Sequence, residues 1–350
     1  MNAEYIVPAG NWPADELEKV SACPVCAAPE RMLMFDNLQD RIFFSAPGRW
    51  TMFRCQGCGS GYLDPRPTPE TIGRVYANYY THEQRSPPVA ELSSFLKLRR
   101  TLANGYKNWR FGTKLEPAST AGVLAARLRP RMRRVLDRQF RHLPRGSVGR
   151  VLDIGCGDGG FLRNAEAMGW EAVGTDLDPV VVAKGRAAGL DVRLGTLEAV
   201  DGPFDVITLS HAIEHLHEPA KVLEACYELL REGGRLWVET PSMDAWGLTR
   251  FGPDWRGLEP PRHLVLFSRK ALLELLSSLG FTDLRDLPQN SSAAGLYEIS
   301  ERIQRRGDPE LPLPRSLRSR IEAKVGNIIE RIRPERREYL AIVATKAPRQ

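Results

Sequence analysis

The sequence predicts an α/β chain in which a metal-stapled ribbon and a helical connector precede a parallel sheet covered by helices. Three observations carry this expectation. Four of the six cysteines fall as two CxxC pairs, Cys23/Cys26 and Cys55/Cys58. From about residue 148, short apolar runs bounded by Gly and Asp alternate with helical patterns. A glycine-rich turn, Gly155, Gly157 and Gly160, stands between one such run and a helix. A length of 350 residues sets a prior of two domains at roughly 150 residues each, and 42% apolar content is enough for a substantial core. The 30 Gly and 26 Pro show no triplet period, which excludes a collagen-like chain. No apolar stretch is long enough to span a bilayer, and the N-terminus lacks the basic and apolar regions of a signal peptide, so a soluble cytoplasmic protein is expected.

The segments follow in order: a tail over 1–20, a ribbon over 21–80, a basic linker over 81–147, and a sheet domain over 148–350 with a helical insertion at about 289–336. Two CxxC knuckles 28 residues apart match a tetrahedral zinc site, each tight turn offering two thiolates about 2.3 Å from one metal. Four thiolates leave no open coordination position, so the expected role is structural, and two separate pairs argue against a redox dithiol. Between the knuckles, RMLMFDNL, RIFFSA and RWTMFRC have the short β-prone runs of a ribbon. After them, Thr68 is placed to cap a helix from Pro69. Residues 92–142 read as helices interrupted at Gly105, Pro117, Gly122 and Pro130. The sheet domain follows as VGRVLDIG, a helix over 161–168, WEAVGTDL, a helix over 180–188, DVRLG, FDVITLS, a helix over 219–230 and GRLWVET. A helix over 268–279, a strand over 281–287 and a last strand, EYLAIVATK, complete it.

The net charge of +6 is unevenly spread. Residues 97–150 hold fifteen Lys/Arg against two acids, Glu116 and Asp137, so this stretch carries +13 and the rest sums to −7. Such a segment suits nucleic acid, an anionic membrane surface or a phosphorylated substrate, or it is a solvated helix face beside an acidic body. Leu128, Met132, Val135, Leu136 and Phe140 give it an apolar stripe to bury. The acidic remainder implies no continuous basic surface, which disfavours nucleic acid as partner.

The glycine turn alone also fits a dinucleotide fingerprint, since Asp176 lies 21 residues beyond Gly155 at the end of the next strand. Asp153 decides between the readings: a carboxylate two residues before the first glycine repels a pyrophosphate but favours the cationic amino group and sulfonium of S-adenosylmethionine. In either case Asp176 accepts from ribose hydroxyls. With Asp153, Gly155, Gly157, Asp176, GTLE at 195–198, FDVITLSHAIEHLHEP at 204–219 and PPRHLVLFS at 260–268, the chain resembles the class I S-adenosylmethionine-dependent methyltransferases. The resemblance implies a Rossmann-like seven-stranded sheet. It places Gly155 and Gly157 under the methionine moiety, Leu177 over adenine, Thr196 and Leu197 at the adenine edge, and Ser210 and His211 near the methyl group. The ribbon with its YLDPRPTPE stretch resembles that of bacterial methyltransferases of sugars, glycans and specialised metabolites. Some of these methylate carbon on deoxysugars and typically carry a further C-terminal domain, where this sequence shows only a short insertion and a final strand, so an oxygen acceptor is expected.

On the acceptor side, His211, His215 and His217 fall within seven residues beside Glu214. A helical turn from Ser210 would put His211 and His215 on one face. Methyl transfer needs alignment and removal of one acceptor proton, and a histidine with pKa about 6.5 supplies that base. In the related sugar enzymes a Glu-His pair at this place is implicated in catalysis, so His215 is expected as base, Glu214 as its orienter or a second acid/base, and His211 as a substrate or cofactor contact. The same pair could simply pin the loop after the fourth strand. A catalytic metal is disfavoured, because the spacing supplies no third ligand. His263 is a further candidate base or a structural histidine, residues 246–262 with Phe251, Trp255 and Arg256 a candidate pocket wall or a segment packed against the sheet, and Tyr76, Tyr79 and Tyr80 a candidate cover for the cofactor. The expected partner is a small-molecule or glycan acceptor, anionic or phosphate-bearing rather than neutral, with peripheral membrane contact through 97–150. Rival functions are a sugar C-methyltransferase, an RNA methyltransferase gripping phosphates with ribbon and basic helix, and a cofactor-binding protein without turnover.

Overall fold

The computed structural model describes residues 7–76, 93–146, 148–287, 293–306 and 317–348. The strands in chain order are β1 (Leu17–Glu18), β2 (Arg31–Leu38), β3 (Trp50–Cys55), β4 (Gly61–Leu63), β5 (Arg66–Pro67), β6 (Arg150–Ile154), β7 (Glu171–Asp176), β8 (Asp191–Leu194), β9 (Phe204–Ser210), β10 (Leu230–Pro241), β11 (Val265–Leu266), β12 (Phe281–Asp286) and β13 (Tyr339–Lys346). The helices are α1 (Ser94–Phe111), α2 (Ala121–Leu128), α3 (Pro130–Gln139), α4 (Gly160–Ala167), α5 (Pro179–Ala187), α6 (Pro219–Leu229), α7 (Trp246–Phe251), α8 (Arg269–Ser278), α9 (Ala293–Arg306) and α10 (Leu317–Ile332).

Among the described residues, seven strands form one mostly parallel sheet in the order β12-β13-β10-β9-β6-β7-β8. This is the Rossmann-like sheet expected from the alternating pattern. Strand β6 pairs in parallel with both β7 and β9, and four of its five residues are buried, as a strand covered on both faces requires. Local chemistry starts the helices where the sequence places them. Asp178 caps α5 by accepting from the Val180 amide, with Pro179 at the first position, and Ser268 caps α8 by accepting from Ala271.

The chain forms two compact units: Met1–Tyr79, Ser210–Glu228 and Val238–Ala347 in one, and Tyr80–Leu209, Leu229–Trp237 and Pro348–Gln350 in the other. The first contains the ribbon. Its sheet runs β11-β4-β3-β2, and β11 comes from the PPRHLVLFS stretch, with Val265 opposite Tyr62 and Leu266 opposite Gly61. The second unit contains two apolar clusters. One gathers Val151, Leu162, Ala165, Val192 and Val206 around the parallel strands, and the other gathers Tyr106, Phe111, Ala126, Leu136 and Phe140 among the helices of the basic linker.

Several local expectations need correction. Thr68 starts no α-helix: its carbonyl accepts from Thr71 and Ile72, its hydroxyl turns to that of Thr71, and only a 3-10 turn over Ile72–Tyr76 follows. The stripe expected on the linker is divided, with Leu136 and Phe140 buried, Met132 packed beside them, and Leu128 and Val135 exposed. For the stretch 246–262 the structure shows the packing alternative. Phe251 and Trp255 are buried, the Trp255 indole donates to Glu338 at 2.8 Å, and Arg256 pairs with Glu259. The insertion is helical where described, as α9 and α10. Tyr79 and Tyr80 lie outside the described residues.

Candidate functional site

The cofactor-side residues cluster at the carboxyl ends of parallel strands, where ligands bind in open α/β sheets. Gly155 follows β6, and its amide and that of Cys156 donate to the Thr175 carbonyl of β7. Asp176 ends β7, and its two carboxylate oxygens accept from the Gly157 and Asp178 amides at 3.0 and 2.9 Å, so one acid fixes both turns. Burial raises its pKa, and these two bonds oppose the rise. Leu177 is 63% exposed beside it. Thr196 donates through amide and hydroxyl to Glu198, Leu197 begins a 3-10 turn, and the Gly195 amide returns to the Asp176 carbonyl at 3.0 Å.

Asp153 stands in β6, two residues before Gly155. It is fully buried, and a carboxylate there requires a counter-charge. Arg141, from the turn after α3, supplies it: its guanidinium donates to Asp153 Oδ1 and, at 2.6 Å, to the Thr208 hydroxyl, and lies 4.1 Å above the Phe161 ring centroid. Asp153 Oδ2 is buried without a hydrogen-bond partner among the described residues. A buried acceptor left open beside a matched cation suits the amino group of a zwitterionic amino-acid moiety. The glycine turn and Asp153 therefore fit S-adenosylmethionine.

Ser210 ends β9, and the next residue, His211, turns the chain with φ of 52°. That left-handed conformation is unfavourable for a side-chain-bearing residue and is held by three bonds. The His211 amide donates to the Glu239 carbonyl at 2.8 Å, its Nε2 meets Glu239 Oε1 at 3.0 Å, and its Nδ1 meets Glu214 Oε1 at 3.3 Å. Burial works against a charge here, but the two carboxylates outweigh it and raise the His211 pKa to about 9. His211 is thus a cation at neutral pH, not a base.

The turn that follows is a 3-10 helix over Ile213–His215, so His211 and His215 do not share one α-helical face. Glu214 is fully buried; its Oε2 accepts from the Thr240 hydroxyl at 3.0 Å. His215 is oriented by a different group from the one expected: its Nδ1 donates to the Arg262 carbonyl at 2.9 Å. A carbonyl only accepts, so the proton sits on Nδ1 and Nε2 carries the lone pair. His263 is fixed in the same way, Nδ1 donating to Gly257 O at 2.8 Å, and burial lowers its pKa to about 4. A carboxylate oxygen of Glu214 and ring nitrogens of His215 and His263 all lie within 4.8 Å of one another. The Tyr76 ring meets the His215 ring edge-on at 5.9 Å between centroids. His217 points elsewhere, donating to the Pro67 carbonyl.

Arg262, whose carbonyl positions His215, is itself buried against the ribbon. Its guanidinium donates to Asp40 at 2.7 Å, to Ser45 at 2.9 Å and to the Val75 carbonyl at 2.7 Å, and stacks 3.8 Å from the Phe43 centroid. Sequence reasoning passed over Arg141, Asp40, Arg262 and Glu239. Only Glu239 left a signal, as an acid inside the apolar run LWVET.

The four cysteine sulfurs converge as well, all within 4.8 Å, with Cys23–Cys58 at 3.7 Å and Cys26–Cys55 at 3.5 Å. The edge of a tetrahedron of sulfurs about 2.3 Å from zinc is about 3.8 Å, so this donor set fits the ion. At Gly57 a Cβ would lie 3.1 Å from the Ala28 Cβ and 3.7 Å from two of the sulfurs, so the second knuckle packs closely against the first.

A family model described as "Methyltransferase domain" matches residues 124–285. A ubiquinone biosynthesis O-methyltransferase of Pseudomonas aeruginosa is 32% identical over 158 residues, 38% of this chain and 68% of that protein. One of Xylella fastidiosa is 39% identical over 105 residues, and there the match spans 27% of this chain and only 42% of the relative's length. A solved S-adenosylmethionine-dependent methyltransferase of Archaeoglobus fulgidus is 22% identical with a TM-score of 0.42, covering 65% of this chain and 95% of that one. With the Pseudomonas relative covered over 68% of its length and the methyltransferase-domain match over 124–285, the chain belongs to the class I S-adenosylmethionine-dependent methyltransferases.

Proposed function

We propose that the protein transfers a methyl group to a hydroxyl of a small molecule, with His215 as the group that accepts the hydroxyl proton. The observation that carries this reading is the fixed tautomer of His215, which leaves Nε2 basic while Glu214 and neutral His263 surround it. S-adenosylmethionine, when bound, supplies a methyl group activated by its sulfonium charge. Gly155 and Gly157 give it a close backbone approach, Asp176 offers carboxylate oxygens to the ribose, and Arg141 with Asp153 presents both signs of charge to its amino-acid end. Leu177, Thr196 and Leu197 border the adenine in this reading, and Ser210 leads into the acceptor side. His211 has both ring nitrogens on carboxylates, Glu214 and Glu239, so in this reading it fixes the turn between β9 and His215 rather than binding substrate.

Oxygen is favoured over carbon because the relatives named above are O-methyltransferases by name. Those names do not single out a sugar, so sugar, glycan and specialised-metabolite hydroxyls stand beside phenolic ones as acceptors. The direct test is transfer of labelled methyl from S-adenosylmethionine to a panel of such hydroxyl compounds; binding of the cofactor with no transfer to any of them would favour a silent binding protein. On the cofactor side, Asp176→Ala should weaken binding of S-adenosylhomocysteine about tenfold or more, the scale of one or two lost charged hydrogen bonds. An unchanged calorimetric titration would remove Asp176 from the ribose.

The ribbon is read as holding one structural zinc through Cys23, Cys26, Cys55 and Cys58, which staples β3 to the loop ahead of β2. Elemental determination should find about one zinc per chain, and Cys55→Ser or a strong chelator should lower the unfolding midpoint, because binding energy of the metal is folding energy of its module. Purified protein without zinc and with an unaltered midpoint after chelation would end this assignment.

A further inference from the structure

The helices of the basic linker carry a feature that methyl transfer does not use. Helices α1 and α2 cross in near contact: a Cβ on Gly105 would fall 1.7 Å from the Ser119 carbonyl oxygen, and one on Gly122 would fall 1.9 Å from the Leu102 oxygen. As the number rises along one helix at this contact it falls along the other, so the pair is antiparallel. The N-terminal end of α1 therefore runs beside the C-terminal end of α2. At that shared end the apolar side chains point outward: Phe95 is 72% exposed, Leu98 58%, Leu124 60% and Leu128 74%. Interleaved with them are the exposed cations Lys97, Arg99, Arg100 and Arg129. The buried side of the same helices is satisfied internally, through Tyr106, Phe111, Ala126, Leu136 and Phe140.

Large aliphatic and aromatic side chains on an exposed end are costly in water unless something covers them. The mixture selects among partners. Phosphates of a nucleic acid reward the arginines and gain nothing from four apolar side chains, three of them leucines. A second copy would bring two strongly basic ends together. An anionic bilayer rewards both components, because apolar side chains enter the acyl boundary while Lys and Arg stay at the headgroup phosphates. We propose that this end of the α1–α2 pair is a docking surface for an anionic phospholipid bilayer, holding the protein peripherally on a membrane. None of the helices among the described residues is long and apolar enough to cross one.

The test is co-sedimentation of the full chain with vesicles of equal phosphatidylglycerol and phosphatidylcholine, and with phosphatidylcholine alone. The partition coefficient should be about tenfold or more higher on the anionic vesicles and fall steeply between 0.1 and 0.5 M salt. Leu98→Ser with Leu128→Ser should lower it about tenfold at low salt, with an unchanged unfolding midpoint and unchanged cofactor binding. Arg99→Gln with Arg100→Gln should lower it as well and flatten the salt dependence. Equal partition onto both vesicle types, or no loss in the leucine variant, would overturn the proposal. So would a dimer in light scattering that the leucine variant abolishes while no vesicles are bound. Binding of a single-stranded RNA oligonucleotide, tighter than the vesicles and indifferent to the leucine variant, would overturn it in favour of nucleic acid.

Discussion

His215→Ala is expected to reduce methyl transfer by about 10²-fold or more, the usual contribution of a positioned general base, while leaving the affinity for S-adenosylhomocysteine near that of the wild type. The separation follows from where the groups lie. His215 is held by the Arg262 carbonyl and faces Glu214 and His263, whereas the cofactor residues Gly155, Gly157 and Asp176 are tied to one another through β6 and β7. A kcat loss with little change in cofactor binding supports the base. Unchanged turnover removes it. A third result is informative: if the variant loses turnover together with a second equivalent of bound metal, beyond that of the cysteines, His215 is a ligand and Glu214 and His263 are its companions.

Asp40→Asn should be the most damaging conservative change for stability. Both members of the Asp40–Arg262 pair are without exposed side-chain surface, at 2.7 Å. Removing one partner of such a pair costs about 3–5 kcal/mol, because the other charge stays buried. Asp40 also accepts from the Phe43, Ser45 and Ala46 amides, which an asparagine amide group cannot do at both ends. Urea unfolding should show the loss as a lower midpoint. Asp40→Asn with Arg262→Met should regain part of it, since the orphaned guanidinium is then gone. If the single variant unfolds at the wild-type midpoint, the pair carries no net stability. Turnover of the folded single variant is expected to fall too, as the backbone of Arg262 is what sets the His215 tautomer.

The elements governed by local pattern were legible in the sequence. Strand β6 and the glycine turn, Pro179 at the start of α5, and the buried β7 ending in Asp176 all follow from periodicity and capping chemistry acting over a few residues. The convergence of the cysteines was legible because each CxxC pair is a local knuckle, and the two pairs meet. What escaped were partnerships set by tertiary structure. Nothing within reach of His215 in the sequence marks Arg262 as its anchor, since the bond uses a backbone carbonyl 47 residues away. Arg141 was hidden among fourteen other cations of the linker, and only the burial of Asp153 distinguishes it. The α-helical spacing of His211 and His215 was misleading because His211 adopts a left-handed turn fixed by Glu239, a residue on a strand that comes later.

Strand β11 has a consequence for how the chain is made. The ribbon's own strands are made well before its sheet is complete: the strand Val265–Leu266 follows some 200 residues after Tyr62, its partner. Pairing at such sequence separation is slow and must wait for loop closure. During synthesis the edge of β4 stays uncovered, and the frame around Arg262 and Asp40 cannot yet exist. The ribbon is therefore begun early and finished late, and the carbonyl of Arg262 can position His215 only once the later segment has reached back to it.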